Sequence, residues 1–186
     1  METIQYDGLF ISAAVYNVGN REILKNIDKL LKDLKASNCL VVIFQASQVI
    51  SLKQILFAAI SAILAFKSGT NIARKLDVEI LVRLSCENQI DEAIKKISVD
   101  RETKDVGICI LSRSEEELQE FSGKLTELID GLEFNDEDLR TIDRINAAKN
   151  FYKITDEEIN SVQAGDLYEA VLLLILERIA TVDIRR

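Results

Sequence analysis

The residues richest in chemistry stand together in FKSGTNIARK, residues 66–75. Lys67, Ser68, Gly69 and Thr70 follow one another, and Asn71, Arg74 and Lys75 come next. Lysine, glycine and hydroxyl side chains are the parts of a phosphate-binding loop. A nucleotide-triphosphate loop needs the spacing G-x-x-x-x-G-K-[ST] after a strand. Phe66 and Ser61 occupy the two glycine positions, and an apolar helical run comes before them. The stretch therefore reads as a turn. Gly69 closes one helix in the left-handed conformation, and Thr70 or Asn71 caps a short second helix, NIARKL. A helix start of this kind presents backbone N–H groups, which attract phosphate.

Charge sets this turn apart from the rest of the chain. The protein has 186 residues and a net charge of −8, yet Leu34 to Leu76 contains no Asp or Glu. That window holds Lys35, Lys53, Lys67, Arg74 and Lys75, a local +5 that leaves −13 on the remainder. Arg83 follows shortly after. A general nucleic-acid surface is basic throughout, so any such contact here has to be small and local. The competing reading is a buried segment with few charges of either sign.

Other chemistries are excluded or weak. There is no histidine, which removes Ser-His and Cys-His nucleophiles and imidazole metal ligands. Cys39, Cys86 and Cys109 form no Cys-x-x-Cys pair and lie in or beside apolar runs, as reduced thiols in a cytoplasmic protein do. The acidic runs 114–120 and 136–138 open helices, where carboxylates offset the dipole. No catalytic residue, metal site or cofactor is expected. METIQYDGLF lacks the pattern of a signal peptide. The longest apolar run, Ile55–Phe66, has 12 residues, short of the roughly 20 of a membrane span.

The elements that must position the turn follow from periodicity. LFISAAVY, CLVVIFQA, VEILVRLS and DVGICILS read as strands, the second of them central in a sheet. Helices are expected over Arg21–Lys35, from Ser51 through the apolar run, over Glu87–Ile97, from Ser114 to about Ile129, over Asn135–Asn150 and over Asp166–Ala180. In Glu87–Ile97 the inward residues are Ile90, Ala93, Ile94 and Ile97. Ser51/Gln54, Ser114/Glu117 and Thr155/Glu158 have the spacing of capping boxes. The expected fold is a single α/β (mixed α+β) domain over 1–186, a central sheet flanked by helices. Residues 1–112 hold the sheet, and 113–186 form a mainly helical C-terminal layer. The last helix, DLYEAVLLLILERIA, is more apolar than one buried face requires, which points to a protein partner or to complete burial.

The run ISLKQILFAAISAILAFKSGTNIARKLDVEILVRLSCENQIDEAIKKI, with NFYKIT and the apolar last helix after it, resembles the small kinase-binding subunit of the KEOPS complex. Ser98 departs from the glycine often found after the QI-x-x-AI helix, which affects the turn alone. The resemblance implies a non-catalytic subunit that binds the amino-terminal lobe of an atypical kinase/ATPase. It also implies capture of tRNA by its single-stranded 3′ CCA tail for threonylcarbamoyl-adenosine synthesis, with no membrane involved. On that reading Lys67, Arg74 and Lys75 contact phosphates. Gly69, Thr70, Asn71 and Arg83 complete the tRNA site, with Asn71 and the backbone N–H groups near Gly69 reading base edges or the ribose. Tyr152, Ile154, Leu172, Ile175 and Ile179 are the candidates for the kinase interface. The alternative is a protein-only regulatory scaffold of the kinase that never meets RNA.

Overall fold

A computed structural model describes residues 1–18, 39–129 and 131–184. The helix expected over Arg21–Lys35, and Lys35 itself, lie outside these residues. The rest is a mixed α+β domain built on an antiparallel sheet. Its strands are β1 (Glu2–Tyr6), β2 (Leu9–Asn17), β3 (Leu40–Gln45), β4 (Asp105–Ser112) and β5 (Leu132–Phe134). They run in the order β1-β2-β4-β3, with β5 pairing the far end of β2. β4 is central and buried on both faces. β3, expected to be central, ends the order.

Side chains alternate between two cores, as the pleat requires. Ile11, Ala13, Val15, Val42, Phe44, Cys109 and Leu111 point to one face. Ala14, Tyr16, Val106, Ile108 and Ile110 point to the other. The register confirms this: Ala13 and Val42 both pair Cys109, and Val15 and Phe44 both pair Gly107. A Cβ on Gly107 would fall 2.4 Å from the Phe44 ring, so the buried ring lies over a bare backbone position.

Helices cover both faces. α1 (Leu52–Ser68), α2 (Leu76–Ser85), α5 (Ile142–Tyr152) and α7 (Leu167–Ala180) contribute to the first core. α4 (Glu115–Leu128) covers the second with Leu118, Phe121 and Leu125. α3 (Ile90–Ile97) buries Ala93 and Ile97 beside α2, and α6 (Asp156–Ser161) leads into α7. Ile94, expected inward, is exposed. Thr155 and Glu158 form the expected capping box. Ser114 caps α4 as expected, whereas the Glu117 carboxylate accepts from the Ser112 hydroxyl. Ser51 caps α1, but Gln54 turns away from it, accepting from Ile50 N–H and donating to the Tyr152 hydroxyl. The helix expected from Asn135 begins only at Ile142, capped by Thr141.

Three corrections bear on the site. VEILVRLS, read as a strand, is helix α2. Leu76, Ile80 and Leu84 recur at helical spacing against the first core, and Glu79 pairs with Arg83 one turn on. NIARKL, read as a short helix, is a series of bends through Lys75. The chain start, read as no element, is the hairpin strand β1. Asp7 and Gly8 both have positive φ, 54° and 72°, between Tyr6 and Leu9, the two-residue turn that Asp-Gly favours. At Ser98 φ is −64°, so serine there costs nothing that glycine would save.

Candidate functional site

The turn between α1 and α2 is built from its two helix ends. Gly69 closes α1 at φ 69°, and its N–H and that of Thr70 both donate to Ala65 O. The N–H groups of Ile72 and Ala73 donate to Glu79 Oε2 at 2.8 and 2.7 Å. The backbone donors expected to meet a ligand near Gly69 are thus turned into the protein. Asn71 is half-buried and donates from Nδ2 to Ala73 O at 2.9 Å, which shapes the bend. What the turn presents to solvent is side-chain charge: Lys67, Arg74 and Lys75 are all exposed, along with Gly69 and Thr70. Lys67 reaches across to Asp7 of the β1–β2 turn at 2.5 Å, while its side chain keeps 53% of its exposure.

Arg83 has a different place from the other candidate cations. It is 2% exposed, behind the turn rather than on it. Its Nε donates to Glu79 Oε1 at 3.1 Å. Its Nη1 reaches Ser61 Oγ at 3.1 Å, Asp183 Oδ1 at 3.3 Å and Ile179 O at 3.4 Å. Any contribution to binding is made through the shape of the turn. Glu79 went unnoticed in the sequence, although the Glu–Arg spacing of four was its signal.

Beside the turn lies a cavity of about 540 Å³ at one end of the sheet. Leu9, Leu40, Leu76 and Leu111 give it an apolar floor, and Ser112, Arg113, Ser114 and Glu117 form its polar wall. Leu76 directly follows Lys75, and Leu9 follows the hairpin turn whose Asp7 holds Lys67. No sequence pattern marked Arg113 or these leucines as neighbours.

The second candidate surface changes more. Of the five residues expected at a partner interface, Tyr152, Ile154, Ile175 and Ile179 are buried in the first core. Tyr152 donates to Leu84 O at 2.8 Å and accepts from Gln54, and burial raises its pKa well above the usual tyrosine value. Leu172 alone remains half-exposed. The apolar surface of α7 is carried instead by Leu172, Leu173 and Leu176, with Leu173 42% exposed. α1 packs on α7 and adds half-buried Phe57 and Ile60 and 45%-exposed Leu64. Arg83 bridges Ser61 to Ile179, so Leu64 and Leu176 each stand one turn from a tie between the two helices.

Burial pushes the Cys109 thiol up to about 12, which removes it as a nucleophile. Among the described residues, no group of three or more Cys, Asp or Glu is placed to hold a metal ion, and no helix is long and apolar enough to cross a membrane.

An α+β domain with an exposed cationic turn and with exposed leucines on two packed helices, α1 and α7, has the makings of an interaction module. The chain belongs to the CGI-121 family: a family model described as kinase binding protein CGI-121 matches residues 17–183, nearly the whole length. It is therefore a kinase-binding protein.

Proposed function

We propose that this protein is the non-catalytic KEOPS subunit that joins the kinase/ATPase to tRNA, taking the tRNA by its 3′ CCA tail for threonylcarbamoyl-adenosine synthesis. The observation that carries this reading is the exposure of Lys67, Arg74 and Lys75 at one turn, in a stretch of an acidic chain whose sequence holds no Asp or Glu, beside a leucine-floored cavity. A CCA tail is single-stranded, with few phosphates and bases free to leave the stack. Cations that track a short backbone, next to an apolar platform for a base, suit such a ligand better than they suit a duplex. Arg113 on the cavity wall adds a further cation in reach of the same strand.

The kinase contact is proposed on the outer face of α7 and α1, through Leu172, Leu173, Leu176 and Leu64. An apolar face at this level of exposure is typical of a protein interface core. The buried residues beneath it, Ile175 and Ile179 among them, set its position.

A protein-only scaffold has two observations in its favour: the net charge of −8 and the pairing of Lys67 with Asp7. Titrations of tRNA with and without its terminal CCA, at two salt concentrations, separate the readings. Tail capture requires weaker binding of the truncated tRNA and a salt slope of only a few phosphates. Arg74→Glu should lower the affinity for intact tRNA by about tenfold or more, since it removes one charge contact and adds repulsion. Equal binding of both tRNAs, or wild-type affinity in Arg74→Glu, leaves the scaffold.

A further inference from the structure

The turn that carries the cations has little geometry of its own. Residues 71–75 are neither helix nor strand, and Arg74 and Lys75 extend from it into solvent. Its shape is held from behind at two points. Glu79, fully buried on α2, takes the N–H groups of Ile72 and Ala73 on one carboxylate oxygen. Asp183, which follows α7, takes the Thr70 hydroxyl. Arg83 lies between the two carboxylates and bonds both, at 3.1 and 3.3 Å. The result is a closed circuit that runs from Thr70 to Asp183, to Arg83, to Glu79, and back to Ile72 and Ala73. The Arg83 Nη2 makes no hydrogen bond among the described residues, so the guanidinium is held through Nε and Nη1 alone. Loss of Glu79 removes the partner of Nε, and loss of Asp183 leaves Nη1 with Ser61 Oγ and Ile179 O alone.

We propose that Asp183, Arg83 and Glu79 are positioning residues for the cationic turn, and that Asp183, more than a hundred residues from Arg74 in sequence, governs anion affinity there. This rests on the tRNA reading of the turn. The reason is preorganisation. A turn held at Thr70, Ile72 and Ala73 presents Arg74 and Lys75 from a fixed backbone, and a ligand then does not have to order them on binding. Because Asp183 and Ile179 O are both Arg83 partners, the circuit is also fastened to the end of α7, the helix proposed to meet the kinase. The two surfaces thus share a connected set of hydrogen bonds, one physical route by which two sites can be coupled.

The test compares Asp183→Ala and Thr70→Val with Arg74→Glu, using tRNA as probe and amide hydrogen exchange at Ile72 and Ala73. Loss of a charge-assisted hydrogen bond to part-buried Asp183 predicts about tenfold weaker tRNA binding in Asp183→Ala and Thr70→Val. The same variants should speed exchange at Ile72 and Ala73 by about tenfold, with Ala59 and Ala62 in α1 unchanged. If Arg74→Glu loses affinity while Asp183→Ala keeps that of the wild type, the positioning role is overturned. If Arg74→Glu binds as the wild type does, the tRNA reading fails instead, and exchange alone decides whether the circuit holds the turn. Wild-type exchange at Ile72 and Ala73 in both variants then sinks it.

Discussion

The cationic turn and the α7 face were read from the same sequence with unequal results. At the turn, the cations named in advance are on the surface, apart from Arg83. At the expected kinase interface, four of the five residues named are inside, and exposed Leu173 and Leu64 and half-buried Leu176 were not among them. The difference is physical. A lysine or arginine is almost never fully buried without a partner, so charge in a sequence reports exposure directly. A leucine reports nothing of the kind, because folded surfaces keep a large apolar fraction. Arg83 is the exception that fits the rule: it is buried because Glu79 and Asp183 accompany it.

The largest test of that contrast is at the charged side. Glu79→Ala leaves Arg83 buried with one carboxylate fewer and should cost about 3–5 kcal/mol in urea unfolding, whereas Lys75→Ala, on the same turn but exposed, should stay within about 0.5 kcal/mol. The apolar side gives the next effect. Ile175→Ala should cost about 2–5 kcal/mol through the cavity it leaves. Leu173→Glu should melt as the wild type does and yet fail to co-purify with the kinase. Retained co-purification in Leu173→Glu and in the matching Leu176→Glu would move the kinase surface off α7. The smallest effect is in pH. Burial alone would raise the Asp183 carboxyl, but the Thr70 hydroxyl and the Arg83 guanidinium hold it below its usual value. Its contribution is then present above the unfolded carboxylate pKa of about 3.9 and is lost as pH falls through the lower folded value. Wild type should exceed Asp183→Ala in stability at pH 5–7, and the two curves should converge once pH drops well below about 4. A gap that grows towards low pH would contradict the ion pairing.

Legibility in the sequence followed the strength of local signals. Strands β2, β3 and β4 were plain from continuous apolar runs, and α7 from its length. β1 was missed although Asp7-Gly8 is a strong hairpin signal, because its alternation is half polar and only one face is covered. α2 was mistaken for a strand because Val78, Ile80 and Val82 alternate, while the Glu79–Arg83 spacing pointed to a helix. The cavity was not legible at all. Its walls come from residues 9, 40, 76, 111–114 and 117, and only the sheet register and the packing of α2 bring them to one end.

The start of α1 has a consequence for how the chain is made. Leu52 N–H and the Ser51 hydroxyl both donate to Asp136, at 2.7 and 2.9 Å, and Arg144 on α5 closes the loop ahead of them by donating to Ala46 O and Val49 O. On a ribosome, the central helix of the first core emerges long before the carboxylate that finishes its end. Until residues 136–144 follow, that helix end must rely on water or on another protein for its hydrogen bonds. A nascent chain halted between α3 and β5 would keep a frayed, apolar α1 on display, and chaperones would meet this protein at that length.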